Sequence, residues 1–314
     1  MADTTFKLNT GAEIPALGFG TWQSPPGEVQ KAVSHALKIG YKHVDGAYCY
    51  GNENEVGNGL KEAFDSGLKR EDVFVTTKLW CTYHSRVEEN LDKSLKSLGL
   101  DYVDLYLIHW PVAMNPNGND DRFPKLPDGS RDIVWDWKHT QTWKEMEKVL
   151  ATGKAKAIGV ANYSLKFLQE LLAVATVIPA VNQIEIHPQL PQQEIVDFCK
   201  EKGIHITAYS PLGSTGSPLL TAPAVVEVAK KKGVTPASVL LSYHVAEGRS
   251  VLAKSVTPER IEANMKLVNL DKEDLKVIHD YSAELKKEGK LNRYVYPGFG
   301  VNFGFPDQTS GRVP

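Results

Sequence analysis

Short apolar runs alternate with longer stretches of helical period along this chain. The runs are ALGFGTW (16–22), HVDGA (43–47), VFVTTKLW (73–80), DLYLIHW (104–110), AKAIGVAN (155–162), AVNQIEI (180–186), HITAYSPL (205–212) and SVLAKS (250–255). Their length and apolar content suit buried strands. Between the runs, apolar residues recur at three- and four-residue spacing. Val29, Ala32, Val33, Ala36 and Leu37 share one face of 27–40, and Val87, Leu91, Leu95 and Leu98 share one face of 85–99. A further helix is expected over 258–268. Gly40, Gly99, Gly153, Gly203 and Gly233 stand where helix ends should take up a left-handed residue.

Eight strands with helices between them predict right-handed parallel βαβ units. Such units close into a barrel or lie open as a doubly wound sheet. An open sheet would usually offer a Gly-rich dinucleotide turn. GFGTWQ (18–23) and GFGVNFG (298–304) are not of the form GxGxxG. Strand count and length favour an α/β fold of the (β/α)8 TIM-barrel type. The stretch TFKLNTGAEIPAL (5–17) reads as an N-terminal β-hairpin turning at NTGAE and plugging the barrel floor. Stretches 111–138 and 289–314 exceed ordinary connectors and carry Phe123, Trp135, Trp137, Tyr296 and Phe299. Long loops of that kind are usually functional, and the aromatics favour covering loops. No repeat, low-complexity segment or linker interrupts the pattern, so a single domain over 1–314 is expected.

Composition narrows the class. The 314 residues are 42% hydrophobic and 24% charged, ordinary for a globular protein. A net charge of −2 argues against nucleic-acid partners, which call for a basic excess. No run of about 18 apolar residues points to a membrane span, and the N-terminus lacks the pattern of a signal peptide. Cys49, Cys81 and Cys199 form no CxxC pair. An odd count of thiols fits a reducing compartment, so the cytoplasm is expected. Nine histidines include no HExxH, and His43, His187 and His244 read as structural; no metal is expected. Lys230, Lys231 and Lys232 read as a solvated helix end.

In a barrel of this type the strand C-termini and the loops after them build the active site. That rule gathers Trp22, Asp45, Tyr50, Lys78, Trp80 and His109 at one end. It adds Trp110, Asn162, Gln183, Tyr209 and Ser210, then Lys254 and Ser255. A buried Lys78 needs a partner, and Asp45 on the neighbouring strand is the natural one. A nearby ammonium lowers the pKa of a phenol, so Lys78 is expected to tune Tyr50 into a proton donor and acceptor near neutral pH. His109 offers a hydrogen bond to a substrate oxygen. These groups suit polarising and protonating a carbonyl. Each residue alone has a plainer reading: Asp45 as a turn cap, Tyr50 as a packed tyrosine, Lys78 as a structural ion pair, His109 as a core histidine.

GFGTWQSPPGEV, VDGAYCYGNENEVG, TTKLW, DLYLIHWP, GVANYS, VNQIEIHP, ITAYSPLG and KSVTPERIEAN together resemble the aldo-keto reductases across nearly the whole chain, in the same order. The resemblance implies a (β/α)8 barrel that binds a nicotinamide cofactor without a Gly-rich dinucleotide fold. It makes Tyr50 the general acid, Lys78 and Asp45 its tuning pair, and His109 the orienting residue. Tyr209 would stack under the nicotinamide, Asn162 and Gln183 would hold its carboxamide, and Thr21, Trp22 and Asp45 would border it. Ser210, Leu212 and Ser214 would line the pyrophosphate. Lys254, Ser255, Val256, Thr257 and Arg260 match the segment that grips the adenosine 2′-phosphate, which favours NADPH. Asn264 would reach the adenine. The substrate pocket would be walled by Trp22, Cys49, Tyr50, Trp80, His109 and Trp110.

Three positions depart from the family pattern. Ala161 replaces the usual Ser before Asn162, which removes one hydrogen bond to the carboxamide, worth roughly 0.5–1.5 kcal/mol. The adenine-binding Glu aligns with Ala263, while Glu262 stands one place earlier, turned by about 100° on a helix. Gly46 follows Asp45 where a larger residue is usual and is expected to loosen the strand end. The loop at 111–132 resembles that of fungal glycerol dehydrogenases and glyceraldehyde or aldose reductases. The implied function is reversible NADPH-dependent reduction of small aldehydes and aldoses, such as glyceraldehyde or pentoses, by a monomer. Asp120, Asp121, Arg122 and Arg293 are expected to be solvated loop charges rather than substrate contacts. Two other classes compete: a cofactor-binding sensor or regulatory subunit with vestigial reductase activity, and a barrel isomerase or hydrolase using Asp45 and His109.

Overall fold

The computed structural model describes residues 4–214 and 217–314. A two-stranded hairpin, β1 (Thr5–Lys7) and β2 (Glu13–Pro15), opens the chain. Eight strands then follow: β3 (Leu17–Gly20), β4 (His43–Asp45), β5 (Phe74–Leu79), β6 (Leu105–Ile108), β7 (Ile158–Ala161), β8 (Val181–Glu185), β9 (His205–Tyr209) and β10 (Ser250–Ala253). They pair in parallel in chain order, and β10 closes back onto β3. All eight expected strands and the barrel that they imply are thus present. The hairpin closes the floor as expected: Leu8 and Ile14 are buried against Phe74, Leu105, Leu107 and Val181.

The helices wrap the outside. They are α1 (Val29–Lys38), α2 (Glu53–Asp65), α3 (Val87–Leu98), α4 (His139–Ala151), α5 (Leu165–Leu172), α6 (Gln193–Glu201), α7 (Pro223–Lys232), α8 (Pro236–Ala246), α9 (Pro258–Asn264) and α10 (Lys272–Lys287). The faces expected on α1 and α3 are the buried ones. Two glycines inside α2 allow close helix packing. A Cβ on Gly57 would lie 2.7 Å from the Ser97 and Leu98 carbonyl oxygens, and one on Gly59 would lie 2.7 Å from that of Gln30. The helix expected over 258–268 stops at Asn264. Beyond that stop, Ser242 Oγ of α8 takes the Val268 amide at 2.9 Å, and Asp271 caps a new helix, α10.

Both long stretches fold over the C-terminal mouth of the barrel. Phe123 of the first and Phe299 of the second meet Trp80, at ring separations of 5.3 and 6.1 Å. They are therefore covering loops, and their aromatics supply the apolar contact that holds them down. None of the described helices is long and apolar enough to cross a membrane.

Candidate active site

Asp45 ends β4, and the chain then turns through a 3-10 segment, Tyr48–Tyr50, before α2 begins. Lys78 lies two strands round from β3, on β5, and is fully buried. Its ammonium donates to Asp45 Oδ1 at 2.6 Å and to the Gly46 carbonyl at 2.9 Å. Gly46 N–H in turn donates to the Thr76 carbonyl at 2.9 Å. Gly46 is therefore held on both sides, and the strand end is not loosened as the missing side chain suggested. Gln183 Nε2, from β8 across the barrel, donates to Asp45 Oδ2 at 2.8 Å. Both oxygens of the carboxylate are engaged, which offsets the cost of burying it.

Tyr50 lines the cavity above this pair, and the Lys78 ammonium lies 5.3 Å from its ring centre. The expected lowering of the phenol's pKa is absent. Burial pushes it well above its usual value, and the Asp45 carboxylate pushes the same way. The reason is that Lys78 shares its charge with Asp45 at contact distance, so the phenol sees a nearly neutral pair. Tyr50 therefore stands as a neutral proton donor. His109, after β6, packs edge-on to Tyr50 with ring centres 5.7 Å apart. Burial, and then the Lys78 charge, hold its imidazole well below the usual range, so it is neutral.

A cavity of about 860 Å³ opens over these groups. Trp22, Cys49, Trp80 and Trp110 line it together with Tyr50 and His109, the six residues expected to wall the substrate. Thr21, Asn162, Gln183, Tyr209, Ser210, Leu212 and Ser214 line it as well. Asn162 and Ser210 adopt left-handed backbone, with φ of 62° and 49°. That conformation is uncommon for residues other than glycine and tends to mark functional sites. Tyr209 Oη donates to Asn162 Oδ1 at 2.6 Å, and Asn162 Nδ2 donates to the His109 carbonyl at 2.9 Å. Ala161 packs among Ala157, Ala180 and Val181 and offers no side-chain donor.

Lys254 and Arg260 also line the cavity and present two cations. Lys254 donates to the Gln23 carbonyl at 3.1 Å, and neither side chain has a carboxylate partner among the described residues. Two unneutralised cations suit a dianionic phosphate. Ser255, Val256, Thr257 and Asn264 belong to the same segment but lie outside the cavity lining; Asn264 is buried. Glu262 turns the other way and pairs with His35 of α1 at 3.2 Å, as its one-place shift implied. A nicotinamide dinucleotide phosphate suits the chemistry of this set: an aromatic ring, amides, hydroxyls and cations.

Several charges expected to be solvated also staple the fold: Asp120, Asp121 and Lys231 are exposed yet bonded, whereas the Arg293 side chain is buried. Asp121 accepts from Tyr48 and Tyr83 hydroxyls, the latter at 2.8 Å, and its carbonyl accepts from Thr82 at 2.7 Å. Asp120 caps the Arg122 and Phe123 amides at 2.8 and 2.7 Å, and Arg122 lies over the Tyr48 ring. Arg293 is buried in an ion pair with Asp307 at 2.7 Å and lies 4.1 Å from the Phe305 ring centre. Lys231 and Lys232 both pair with Asp274 at the start of α10, at 2.7 and 2.6 Å. In each case the partner lies far along the sequence or across a turn, where spacing alone does not reveal it. Glu185, at the end of β8, is not among the expected site residues. It is fully buried and holds the backbone of the last loop. Its signal was the same as that of Asp45 and Lys78: a charge ending an otherwise apolar strand.

Residues 16–283 match the family model described as "Aldo/keto reductase family". The D-galacturonate reductase of Hypocrea jecorina is 68% identical over 309 residues, covering 98% of this chain and 100% of that protein. The NADP(+) glycerol 2-dehydrogenase of Saccharomyces cerevisiae is 50% identical over 300 residues, covering 93% and 94%. The solved structure of the aldose reductase from Schistosoma japonicum superposes with a TM-score of 0.84 at 43% identity, covering 90% of this chain and 92% of that one. A closed barrel, a buried Asp45–Lys78 pair beneath Tyr50 and His109, and these matches agree: the chain belongs to the aldo/keto reductase family.

Proposed function

We propose that this oxidoreductase reduces small aldehydes and aldoses to alcohols with NADPH, reversibly, and that a hexuronate is among its substrates. The observation that carries the reading is the pair of neutral donors, Tyr50 and His109, facing one cavity above a buried Lys78–Asp45 pair. The hexuronate rests on the 68% identity to a D-galacturonate reductase. NADPH rests on Lys254 and Arg260, and on the NADP(+) named for a relative at 50% identity. The free thiols Cys49, Cys81 and Cys199 suit the cytoplasm, and we take the working unit to be a monomer.

Bound cofactor supplies the hydride; the protein's part is acid and orientation. His109, neutral, donates a hydrogen bond to the substrate oxygen and fixes its direction. As the carbonyl is reduced, its oxygen becomes alkoxide-like and far more basic than a phenolate. Tyr50 therefore protonates it downhill even with a pKa above the usual phenol value. Lys78, 5.3 Å from the Tyr50 ring centre, offsets the Asp45 carboxylate, so the forming phenolate does not face an uncompensated negative charge. Trp22, Trp80 and Trp110 exclude solvent from the reacting face.

Oxidation of NADPH, followed by its absorbance, tests the reading with glyceraldehyde, a pentose, galacturonate and an aromatic aldehyde, and again with NADH. Turnover that prefers NADPH, and that falls by about 10²–10⁴ in Tyr50→Phe, is expected. A Tyr50→Phe enzyme of full activity would overturn the role given to the phenol. Cofactor binding with no turnover on any aldehyde would favour a sensing subunit.

A further inference from the structure

Cys49 has a second relationship besides walling the cavity. Its Sγ lies 3.5 Å from His109 Nδ1, and this is the only partner of that nitrogen among the described residues. The other ring nitrogen, Nε2, makes no hydrogen bond to the protein among those residues, and His109 lines the cavity. A neutral imidazole carries one proton, so Nδ1 and Nε2 divide the roles of donor and acceptor.

Two arrangements satisfy the short contact. In one, Nδ1–H points at sulfur, the thiol proton turns away to no acceptor, and Nε2 shows a lone pair to the cavity. In the other, S–H donates to Nδ1 and Nε2 carries the proton. Sulfur is a weak acceptor, whereas an imidazole nitrogen is a good one. The second arrangement uses both groups and leaves no donor facing a donor. It also presents an N–H to a carbonyl oxygen, where the first would set lone pair against lone pair. Burial keeps the thiol protonated, as the donor role requires.

We infer that Cys49 is a positioning residue: its thiol proton holds His109 in the tautomer that donates from Nε2 to the substrate oxygen. This deepens the proposed reductase reading, on which it rests for the identity of the acceptor. Cys49 touches the ring and not the reacting atoms, so its effect is on the fraction of His109 ready to donate.

Long-range ¹H–¹⁵N correlation spectra of the uniformly labelled protein read the tautomer directly. The His109 signals are assigned by their disappearance in His109→Asn. Wild type is expected to show Nε2–H, Cys49→Val a mixture or the Nδ1–H form, and Cys49→Ser the Nε2–H form again, because a hydroxyl also donates. In the same variants kcat of Cys49→Val should fall about two- to tenfold, with NADPH affinity unchanged and partial recovery in Cys49→Ser. An Nδ1–H wild type would overturn the inference. So would a Cys49→Val protein that keeps the Nε2–H form. The spectra are independent of turnover: the expected tautomers without aldehyde reduction would sink the functional reading and leave the hydrogen bond standing.

Discussion

Glu185 Oε1 accepts the backbone N–H of Tyr294 at 2.7 Å, 109 residues further along the chain. Oε2 accepts that of Val295 at 2.8 Å, and His187 Nε2 lies 3.0 Å from Oε1. One buried carboxylate at the end of β8 thus ties down the segment that brings Tyr294, Val295 and Tyr296 to the cavity.

Glu185→Gln should loosen that segment selectively. The amide keeps one acceptor and replaces the other with a donor that faces a backbone N–H. A buried unsatisfied donor costs about 1–3 kcal/mol. We expect faster proteolytic cleavage within 289–314 and a KM that rises several-fold for pentoses and uronates but less for glyceraldehyde, which needs less of the wall. Limited proteolysis beside steady-state kinetics checks it. An unchanged cleavage pattern would remove Glu185 as the anchor.

Lys78 and Asp45 call for a double-mutant cycle. Lys78→Met leaves the Asp45 carboxylate buried with Gln183 as its remaining side-chain donor, a loss of about 3–5 kcal/mol. Asp45→Asn together with Lys78→Met removes both charges and should recover most of that stability in urea unfolding. Turnover should stay lost in both, because no cation remains beside the Tyr50 ring. Recovery of turnover in the double variant would show that the pair is purely structural.

The strands were legible because each is a short apolar run bounded by turn residues, and eight of them leave few architectures. Asp45, Lys78 and His109 were legible because a charge or imidazole at the end of such a run is costly and needs a reason. What the sequence did not carry was the balance of competing terms. Asp45 neutralises Lys78 at 2.6 Å, so burial wins at Tyr50 and the phenol's pKa rises where a lone ammonium would have lowered it. Nor does spacing reveal partners brought together by the fold. Asp121 meets Tyr48 and Tyr83 only once 111–138 has folded over the mouth, and Arg293 meets Asp307 across a turn of the final loop.

Arg260 should decide between the two nicotinamide cofactors. It borders the cavity beside Lys254 and has no carboxylate to neutralise it among the described residues. A charge-assisted hydrogen bond is worth about 1.5–3 kcal/mol, so Arg260→Ala should raise the KM for NADPH roughly ten- to hundredfold. The KM for NADH, which lacks the phosphate, should barely move. Equal losses with both cofactors would place Arg260 somewhere other than at the 2′-phosphate.

Acid should unfold this protein through its buried imidazoles. Burial lowers His43 and His205 to about 4 and His84 to about 3. Each is neutral in the folded chain and titrates near 6.5 once unfolded. The unfolded state therefore binds more protons below pH 6.5, and stability falls as pH falls from there towards 4. Above pH 6.5 these groups contribute no slope. Each costs roughly 1.4 kcal/mol per pH unit inside the window, so the three together remove about 4 kcal/mol per unit near pH 5. Against a total of about 5–15 kcal/mol for a folded protein, a stability at the lower end of that range would be lost by about pH 5. His205 gives the control, since its Nε2 lies 3.2 Å from the Ser250 amide, whose donation a second ring proton would break. Denaturant midpoints at pH 7, 6 and 5 should drop steeply in wild type and less steeply in His205→Gln, where His109, His139 and His244, also lowered by burial, keep much of the slope. A flat profile over that range would mean that these imidazoles take up their protons without unfolding the barrel.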